Sequence, residues 1–187
     1  MSDIENKRER SRRGVLLGAA GIAGAAELIG SAQTASADDD NRFIDELKVR
    51  ELATLYALGT DAIGRSDKAA GIAIYHRTFT SNARIMVKNA PGTLSIGPEA
   101  WADFVESVFR RSNYDRTQHL MGTVHAVVKG NRATMSSYLT SAHHVADNSS
   151  VLVVLGTYND VAVRVRGEWR IAERTLDVMT SWNEKPN

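Results

Sequence analysis

The sequence predicts an α+β domain in which three helices pack against a curved antiparallel or mixed sheet shaped like a cone. Three observations support this class. Apolar residues recur at helical spacing early in the domain, β-rich runs fill its last third, and short turn signals separate those runs. Helices followed by consecutive strands favour α+β over alternating βα units. A bent sheet closed by helices commonly holds a small ligand.

A leader with the features of a secretory signal precedes the domain. A basic segment ends in Arg12-Arg13, an apolar run rich in Gly and Ala extends to about Gly30, and Ala35-Ser36-Ala37 matches a cleavage site. The paired arginines resemble the twin-arginine (Tat) export signal. We expect residues 1–37 to direct export to the periplasm or beyond, with no stable membrane association after cleavage. An uncleaved anchor is the alternative.

The remaining residues, 38–187, have the length of one compact domain with its own core. The whole chain has 23 basic and 22 acidic residues, of which the leader holds five and four, so the charges of the domain balance. This balance does not favour a nucleic-acid partner. Cysteine is absent, which excludes disulfides, a thiolate nucleophile and cysteine-ligated zinc.

Periodicity and capping residues mark the predicted helices. The first runs from Phe43 to Ile63, and the second is capped by Asp67 and extends to Phe79. A turn at Ser81-Asn82 and a short strand over residues 83–87 follow. Pro98 then opens the third helix, because proline suits the first helical turn.

Four long strands are predicted after the helices. They are expected at residues 118–128, 133–145, 151–165 and 169–180. The segments between them, such as Lys129-Gly130-Asn131, have the composition of hairpin turns. Consecutive hairpins predict that these strands are antiparallel neighbours in one sheet.

Five segments of the domain resemble the SnoaL-like branch of the nuclear transport factor 2-like superfamily. They are Tyr56…Asp61, Thr117-Gln118-His119, Ser141-Ala142-His143, Gly156 to Asp160 and Gly167 to Ile171. The resemblance covers roughly residues 41–182 and is closest to the scytalone dehydratase-type subgroup, through Thr117 to Gly122. It implies a cone-shaped fold, no cofactor, a small apolar ligand and a homodimer or homotrimer.

The candidate catalytic residues are Asp61, His119 and His143. The two histidines lie on neighbouring predicted strands, at positions that a hairpin would bring to the same end of the sheet. The resemblance implies that Asp61 faces the pocket and pairs with a histidine, which would fix the tautomer and strengthen the imidazole as a base. Two imidazoles and a carboxylate in an apolar pocket form a general acid–base set.

Each of these residues also has a structural interpretation. Asp61 could be a solvated residue at a helix end, and a histidine on an apolar face is often part of a core. His144 competes with His143 for the inward position, because a one-residue slip exchanges the two faces of a strand. We favour His143 from the alternation of its strand.

Tyr56, Met121 and Tyr158 are the candidate substrate-binding residues. The resemblance places Tyr56 at an aromatic position and Tyr158 where the dehydratase has a substrate-binding asparagine. The two catalytic tyrosines of that enzyme are absent, because Thr60 and Val87 occupy their positions, so scytalone is not the expected substrate. The chain lacks closely spaced ligand pairs, so no metal is expected.

The sequence therefore predicts a cofactor-free lyase, such as a dehydratase, or an isomerase that acts on a small apolar cyclic or aromatic substrate. A non-catalytic exported protein that binds an apolar metabolite is the alternative, and a dimerisation module is a third possibility. The position of Asp61 discriminates between the first two. Bonding to a histidine inside an apolar site favours catalysis, whereas a solvent-facing carboxylate favours binding alone.

Overall fold

A computed structural model describes residues 20–147 and 149–185 of the chain, with side chains from residue 39 onwards. The chain divides into two compact units after Phe43, and the fold and site below belong to the second. The twin-arginine pair of the predicted leader lies outside the described residues, as do the side chains of its cleavage site, so the leader stays a prediction. Within the described part of the chain, no helix has both the length and the apolar character needed to cross a membrane.

Three helices precede or interrupt the first strands. They are α1 (Ala20–Gly64), α2 (Lys68–Thr78) and α3 (Gly97–Arg111). The predicted cap of α2 is confirmed, because the Asp67 carboxylate accepts a hydrogen bond from the Ala70 N–H at 3.0 Å. Pro98 lies in the first turn of α3, also as predicted.

Six strands form one mixed sheet. They are β1 (Phe79–Val87), β2 (Ser95–Ile96), β3 (Tyr114–Lys129), β4 (Arg132–Val145), β5 (Ser150–Val165) and β6 (Glu168–Glu184). Their order is β2-β1-β6-β5-β4-β3, with β1 parallel to β6 and every other neighbouring pair antiparallel. The predicted α+β class with a mixed sheet is therefore confirmed.

The predicted turn at Ser81-Asn82 is wrong, because both residues lie within β1. Phe79 already pairs with Ile171 of β6, so the second helix ends one residue earlier than expected. Regular pairing resumes only at Arg84, after an irregular stretch. The polar residues that indicate a turn in the sequence instead fill this irregularity inside a strand.

One end of the inner face of the sheet is less covered than the rest. Pairing between β1 and β6 ends at Leu176, and the residues of β6 from Val178 onwards pair with β5 alone and are exposed. His143 of β4 pairs with Leu152, which in turn pairs with Asn183 of β6. The histidines predicted for the site therefore lie at the open end of the sheet.

Bulges change which residues of β3 and β6 face inward. In β3 the pairing shifts between Gly122 and His125, and Thr123 has a positive φ of 47°. The more buried face passes from Thr117, His119 and Met121 before the bulge to Val124, Ala126 and Val128 after it. A similar shift of the β5–β6 pairing turns Arg174 inward after Ile171.

Candidate active site

Asp61 and His119 form a buried hydrogen-bonded pair. The carboxylate of Asp61, in the last turn of α1, lies 2.7 Å from His119 Nδ1 through Oδ1 and accepts the His119 backbone N–H at 3.2 Å through Oδ2. The two side chains are 12% and 6% exposed. The structure thus brings together the predicted aspartate and one predicted histidine, away from bulk solvent.

This pairing fixes the tautomer of His119. An ionised carboxylate only accepts hydrogen bonds, so the proton of a neutral His119 ring resides on Nδ1. Nε2 then carries the lone pair. The arrangement leaves one imidazole nitrogen available as a base, while Asp61 can stabilise the imidazolium that forms when Nε2 takes up a proton.

The close approach of α1 to β3 depends on Gly64. A Cβ atom at this position would lie 1.7 Å from Thr117 Cγ2 and 3.1 Å from Thr117 Cβ, so the Thr117 side chain would have to move. Thr117 also lies 3.4 Å from His119 Nδ1 through its hydroxyl. The glycine that the sequence shows as a helix stop therefore also lets the helix end reach the strand that carries His119.

His143 lies beside this pair in an aromatic environment. Its side chain points inward from β4, and the residue is 5% exposed. The centre of its ring lies 4.7 Å from that of Tyr114, in a stacked arrangement, 5.3 Å from that of Phe109 and 5.4 Å from that of His119. Its Nε2 lies 3.0 Å from Ser141 Oγ, whereas its Nδ1 has no hydrogen-bond partner among the described residues.

The surroundings of His143 disfavour its charged form. Burial lowers its pKa to about 4, with a further contribution from the neighbouring His119, and the carboxylate of Asp61 opposes the shift only in part. His143 is therefore neutral near pH 7. At this pH it can accept or donate a hydrogen bond, but it cannot act as a general acid in its imidazolium form.

The structure also decides between the two adjacent histidines. His144 is part-exposed on the opposite face of β4, where its Nδ1 bonds to the carboxylate of Asp115. His143 is consequently the inward histidine, as favoured from the sequence. The Asp115–His144 pair is a second, surface version of the Asp–His arrangement.

The three predicted substrate-binding residues occupy different environments. Tyr56 and Tyr158 are buried, and the Tyr158 hydroxyl donates to that of Tyr56 at 3.2 Å. The guanidinium carbon of Arg174 lies 4.0 Å from the centre of the Tyr56 ring and 4.4 Å from that of Tyr158. Met121 is half-buried against the core. The contribution of these residues to substrate binding stays a prediction.

A buried ion pair between Arg174 and Asp160 was not predicted from the sequence. Arg174 donates from Nε and one Nη to the two carboxylate oxygens, both at 2.7 Å, and both side chains have zero exposure. Burial disfavours the charge on Arg174, but the attraction of Asp160 outweighs it and raises the pKa of the guanidinium. A strand arginine usually indicates an exposed position, so the sequence pattern conceals this pair.

Ser141 and the aromatic residues around the histidines were also missed. The alternation of Leu139, Ser141 and His143 along β4 does place Ser141 on the inward face, so a signal for it exists. Tyr114 lines a cavity of about 340 Å³ at the open end of the sheet, together with Leu152. The cavity gives a small molecule a place to bind next to the ring that stacks on His143.

The described residues contain no group of three or more His, Cys, Asp or Glu side chains arranged to hold a metal ion. The groups that the site brings together are an imidazole paired with a carboxylate, a neutral imidazole bonded to a serine, and the rings of Phe109 and Tyr114. Such a set can remove a proton from a carbon acid and bind the electronegative atom that gains charge.

Solved structures show the same fold at low sequence identity. A protein of Novosphingobium aromaticivorans assigned as an aromatic ring hydroxylase is 22% identical (TM-score 0.63), and the match covers 76% of this chain and 94% of that one. One assigned as a scytalone dehydratase, from the same species, is 17% identical (TM-score 0.64; 80% and 93% covered). The hexachlorocyclohexane dehydrochlorinase LinA-type3 of Novosphingobium barchaimii is 13% identical (TM-score 0.65; 78% and 94%).

No curated protein matches the chain significantly. The family model for the SnoaL-like domain matches residues 41–175, which include α2, α3 and the first five strands as well as the Asp61–His119 pair. This is most of the described domain, and the observed helices and mixed sheet agree with it. The chain therefore belongs to the SnoaL-like domain family, within the nuclear transport factor 2-like superfamily.

Proposed function

We propose that this protein is a cofactor-free lyase that removes the elements of water or of a hydrogen halide from a small cyclic substrate. The 2.7 Å contact between Asp61 and His119 Nδ1, in a nearly closed site, is the observation that supports it most directly. A carboxylate that only interacted with solvent at the end of the helix would not be expected to lie buried against an imidazole. Isomerisation would use the same first step, removal of a proton from carbon.

The proposed reaction begins at His119. Its Nε2 takes a proton from a carbon next to an electron-withdrawing group, and Asp61 stabilises the resulting imidazolium. The electron pair of the broken C–H bond forms the new double bond, and the leaving group departs from the adjacent carbon with its own bonding pair. His119 then releases the proton, so that the net loss from the substrate is water or a hydrogen halide.

Two features support an apolar ring as the substrate. Aromatic rings, those of Phe109 and Tyr114, surround the histidines. Two of the structural relatives bear names that denote eliminations from cyclic molecules, a dehydratase and a hexachlorocyclohexane dehydrochlorinase. We therefore propose cyclic β-hydroxy ketones and chlorinated cyclohexanes as the first compounds to test.

The proposal is tested by incubating the protein with these compounds in D2O and following double-bond formation and deuterium incorporation by NMR. Asp61→Asn should reduce turnover by about 100- to 10,000-fold, the usual contribution of a positioned acid–base group. Asp115→Asn is the matched control, because it alters the exposed Asp–His pair on the other face of β4 and should leave turnover unchanged.

The same panel separates catalysis from binding alone. Ligands that raise the melting temperature of both wild type and Asp61→Asn, without any product or exchanged deuterium in either, would make this a binding protein. If the turnover rate of Asp61→Asn is within tenfold of that of the wild type, Asp61 and His119 do not perform the proposed acid–base chemistry.

A further inference from the structure

Ser141 lies between the two histidines of the site. It is 2% exposed on the inner face of β4, directly opposite His119 of β3 in the strand pairing. Side chains paired in this way have Cβ atoms about 4.5–5.5 Å apart. The hydrogen bond to His143 Nε2, at 3.0 Å, is the only one made by the Ser141 hydroxyl among the described residues. Ser141 is thus adjacent to the base and bonded to its neighbour.

The Ser141–His143 pair has one more hydrogen than its mutual bond can use. A neutral imidazole has one N–H and a serine has one O–H, and the hydrogen bond between them consumes one of the two. If Ser141 donates, the remaining hydrogen is on His143 Nδ1. If His143 donates from Nε2, the remaining hydrogen is on Ser141 Oγ and is free to bond to a ligand.

The environment of His143 Nδ1 favours the second arrangement. This nitrogen is buried, lies in a ring packed against Tyr114 and Phe109, and has no partner among the described residues. A hydrogen on Nδ1 would be an N–H enclosed by these two rings with no acceptor. A hydrogen on Nε2 is accepted by Ser141 Oγ, and the Ser141 O–H, opposite His119 in the strand pairing, then becomes the donor that a bound ligand can satisfy. The second arrangement is therefore the one in which a ligand leaves no donor of the pair without an acceptor.

We propose that Ser141 donates its hydroxyl hydrogen to the substrate oxygen on which negative charge develops, and that His143 is a positioning residue that orients Ser141. The ligand class is a cyclic ketone or its enolate, since an enolate oxygen is the acceptor that proton removal by His119 creates. This inference rests on the proposed function for its role, but the hydrogen-bond arrangement can be tested without turnover.

The arrangement is tested by ¹⁵N NMR of histidine-labelled full-length protein near neutral pH. We expect His143 to show the pattern of a neutral ring protonated at Nε2, with its resonances assigned through His143→Gln. Protonation at Nδ1 would overturn the proposal, because Ser141 would then donate its hydroxyl hydrogen to His143 Nε2 and could not donate it to a ligand. Ser141→Ala should perturb the His143 signals and leave the Nδ1-protonated signal of His119 in place.

Ligand binding is tested with 4-nitrophenol, whose phenolate form resembles an enolate on a ring and is recognised by its absorbance. Ser141→Ala should weaken binding of the phenolate by at least about tenfold, the effect of losing one hydrogen bond to a charged group. Ser141→Thr keeps the hydroxyl and should restore most of the affinity. Ser137→Ala is the matched control, because Ser137 is buried on the same face of β4 and its hydroxyl is unpartnered among the described residues.

The outcomes keep this proposal apart from the proposed function. Equal phenolate affinity of wild type and Ser141→Ala, or failure of wild type to bind the phenolate at all, would overturn the role of Ser141 even if Asp61 proves essential for turnover. An equal loss in Ser137→Ala would also overturn it, because the effect would then be general to the strand. If phenolate binding requires Ser141 but the protein has no lyase activity, the role of Ser141 as a hydrogen-bond donor stands and only the proposed reaction is wrong.

Discussion

Two aspartates on the inner side of this domain are hydrogen-bonded to the side chains of an arginine and a histidine, and the two pairs differ in how completely they are buried. Arg174 and Asp160 have zero exposure and exchange two hydrogen bonds of 2.7 Å. Asp61 and His119 are slightly exposed, and among the described residues only Nδ1 of the histidine has a hydrogen-bond partner. Along β4, the partners of Asp160 and His119 are six residues apart, about 20 Å.

The difference teaches what distinguishes a structural pair from a candidate catalytic one. Around Arg174, three aromatic rings lie against the guanidinium, and its carboxylate partner has both oxygens engaged. Each end has one buried nitrogen without a hydrogen-bond partner among the described residues, Arg174 Nη1 and His143 Nδ1. His143, however, stacks on Tyr114, which lines a cavity, so only the histidine end lies close to space for a ligand.

The largest expected effect is at the enclosed pair. Arg174→Met leaves the Asp160 carboxylate buried without its partner, so it should reduce the free energy of unfolding by about 3–5 kcal/mol. Urea denaturation monitored by circular dichroism measures this. Arg132→Met is the control, because the Arg132–Glu173 pair is exposed and should contribute at most about 1 kcal/mol.

A double substitution extends the test of the enclosed pair. Arg174→Met combined with Asp160→Leu removes both charges and should recover a substantial part of the loss, because a buried ion pair can often be replaced by apolar side chains. A single substitution that costs no more than the Arg132 control would show that the pair is not a structural anchor of the domain.

At the open end, the stability of the domain should depend on pH through His143. Its pKa of about 4 in the folded protein lies below the ordinary value of 6.5, so the unfolded chain binds more protons between these values. Stability is therefore lost as the pH falls from about 6.5 towards 4. Between pH 7 and pH 5 we expect this one group to account for about 2 kcal/mol.

His143→Gln isolates this contribution, because glutamine fills a similar volume and does not titrate. Urea denaturation of wild type and variant at the two pH values should show the smaller change in the variant. Identical changes would mean that the ring is not neutral in the folded protein, and the contrast between the two ends would then lose its electrostatic basis.

The smallest expected effect concerns the side chains that connect the two ends. Tyr75 lies 2.6 Å from the Thr60 hydroxyl, which itself donates to the Tyr56 carbonyl, and Thr60 is adjacent to Asp61. Tyr75→Phe removes one hydrogen bond and should cost about 1 kcal/mol in urea denaturation. The histidine ¹⁵N spectrum should not change, because Asp61 itself is not bonded to Tyr75. A shifted His119 signal would show that the enclosed end helps to hold the Asp61–His119 pair.

The architecture and part of the site could be predicted from local patterns. The cap at Asp67 and the alternation around His143 each depend on neighbours in sequence, and the structure reproduces both. Strand pairing brings His119 and His143 to the same end of the sheet, as the predicted hairpin requires, and the bulge at Thr123 places both on its inner face. The resemblance to SnoaL-like proteins added Asp61, which lies on a different element and 58 residues away from its partner.

The roles of the remaining residues follow from register shifts and packing, even where a local pattern such as the alternation of β4 gives the direction of the side chain. Continued alternation from Trp169 and Ile171 would place Arg174 on the outer face, but a bulge turns it inward. Ser141 resembles any small polar residue in a strand, and its significance comes from its three-dimensional position beside His119 and His143. These residues were missed because their roles are set by register shifts and packing.

The bulge at Thr123 shifts the alternation of inward and outward side chains along β3 by one residue. Inward positions have odd numbers on the histidine side of the bulge and even numbers on the other. Removal of one residue there would make the alternation continuous, so that one half of the strand must exchange its inner and outer faces. Either His119 would leave the site, or Ala126 and Val128 would leave the core. A deletion of one residue at this point would therefore change the chemistry of the site as well as the length of the strand.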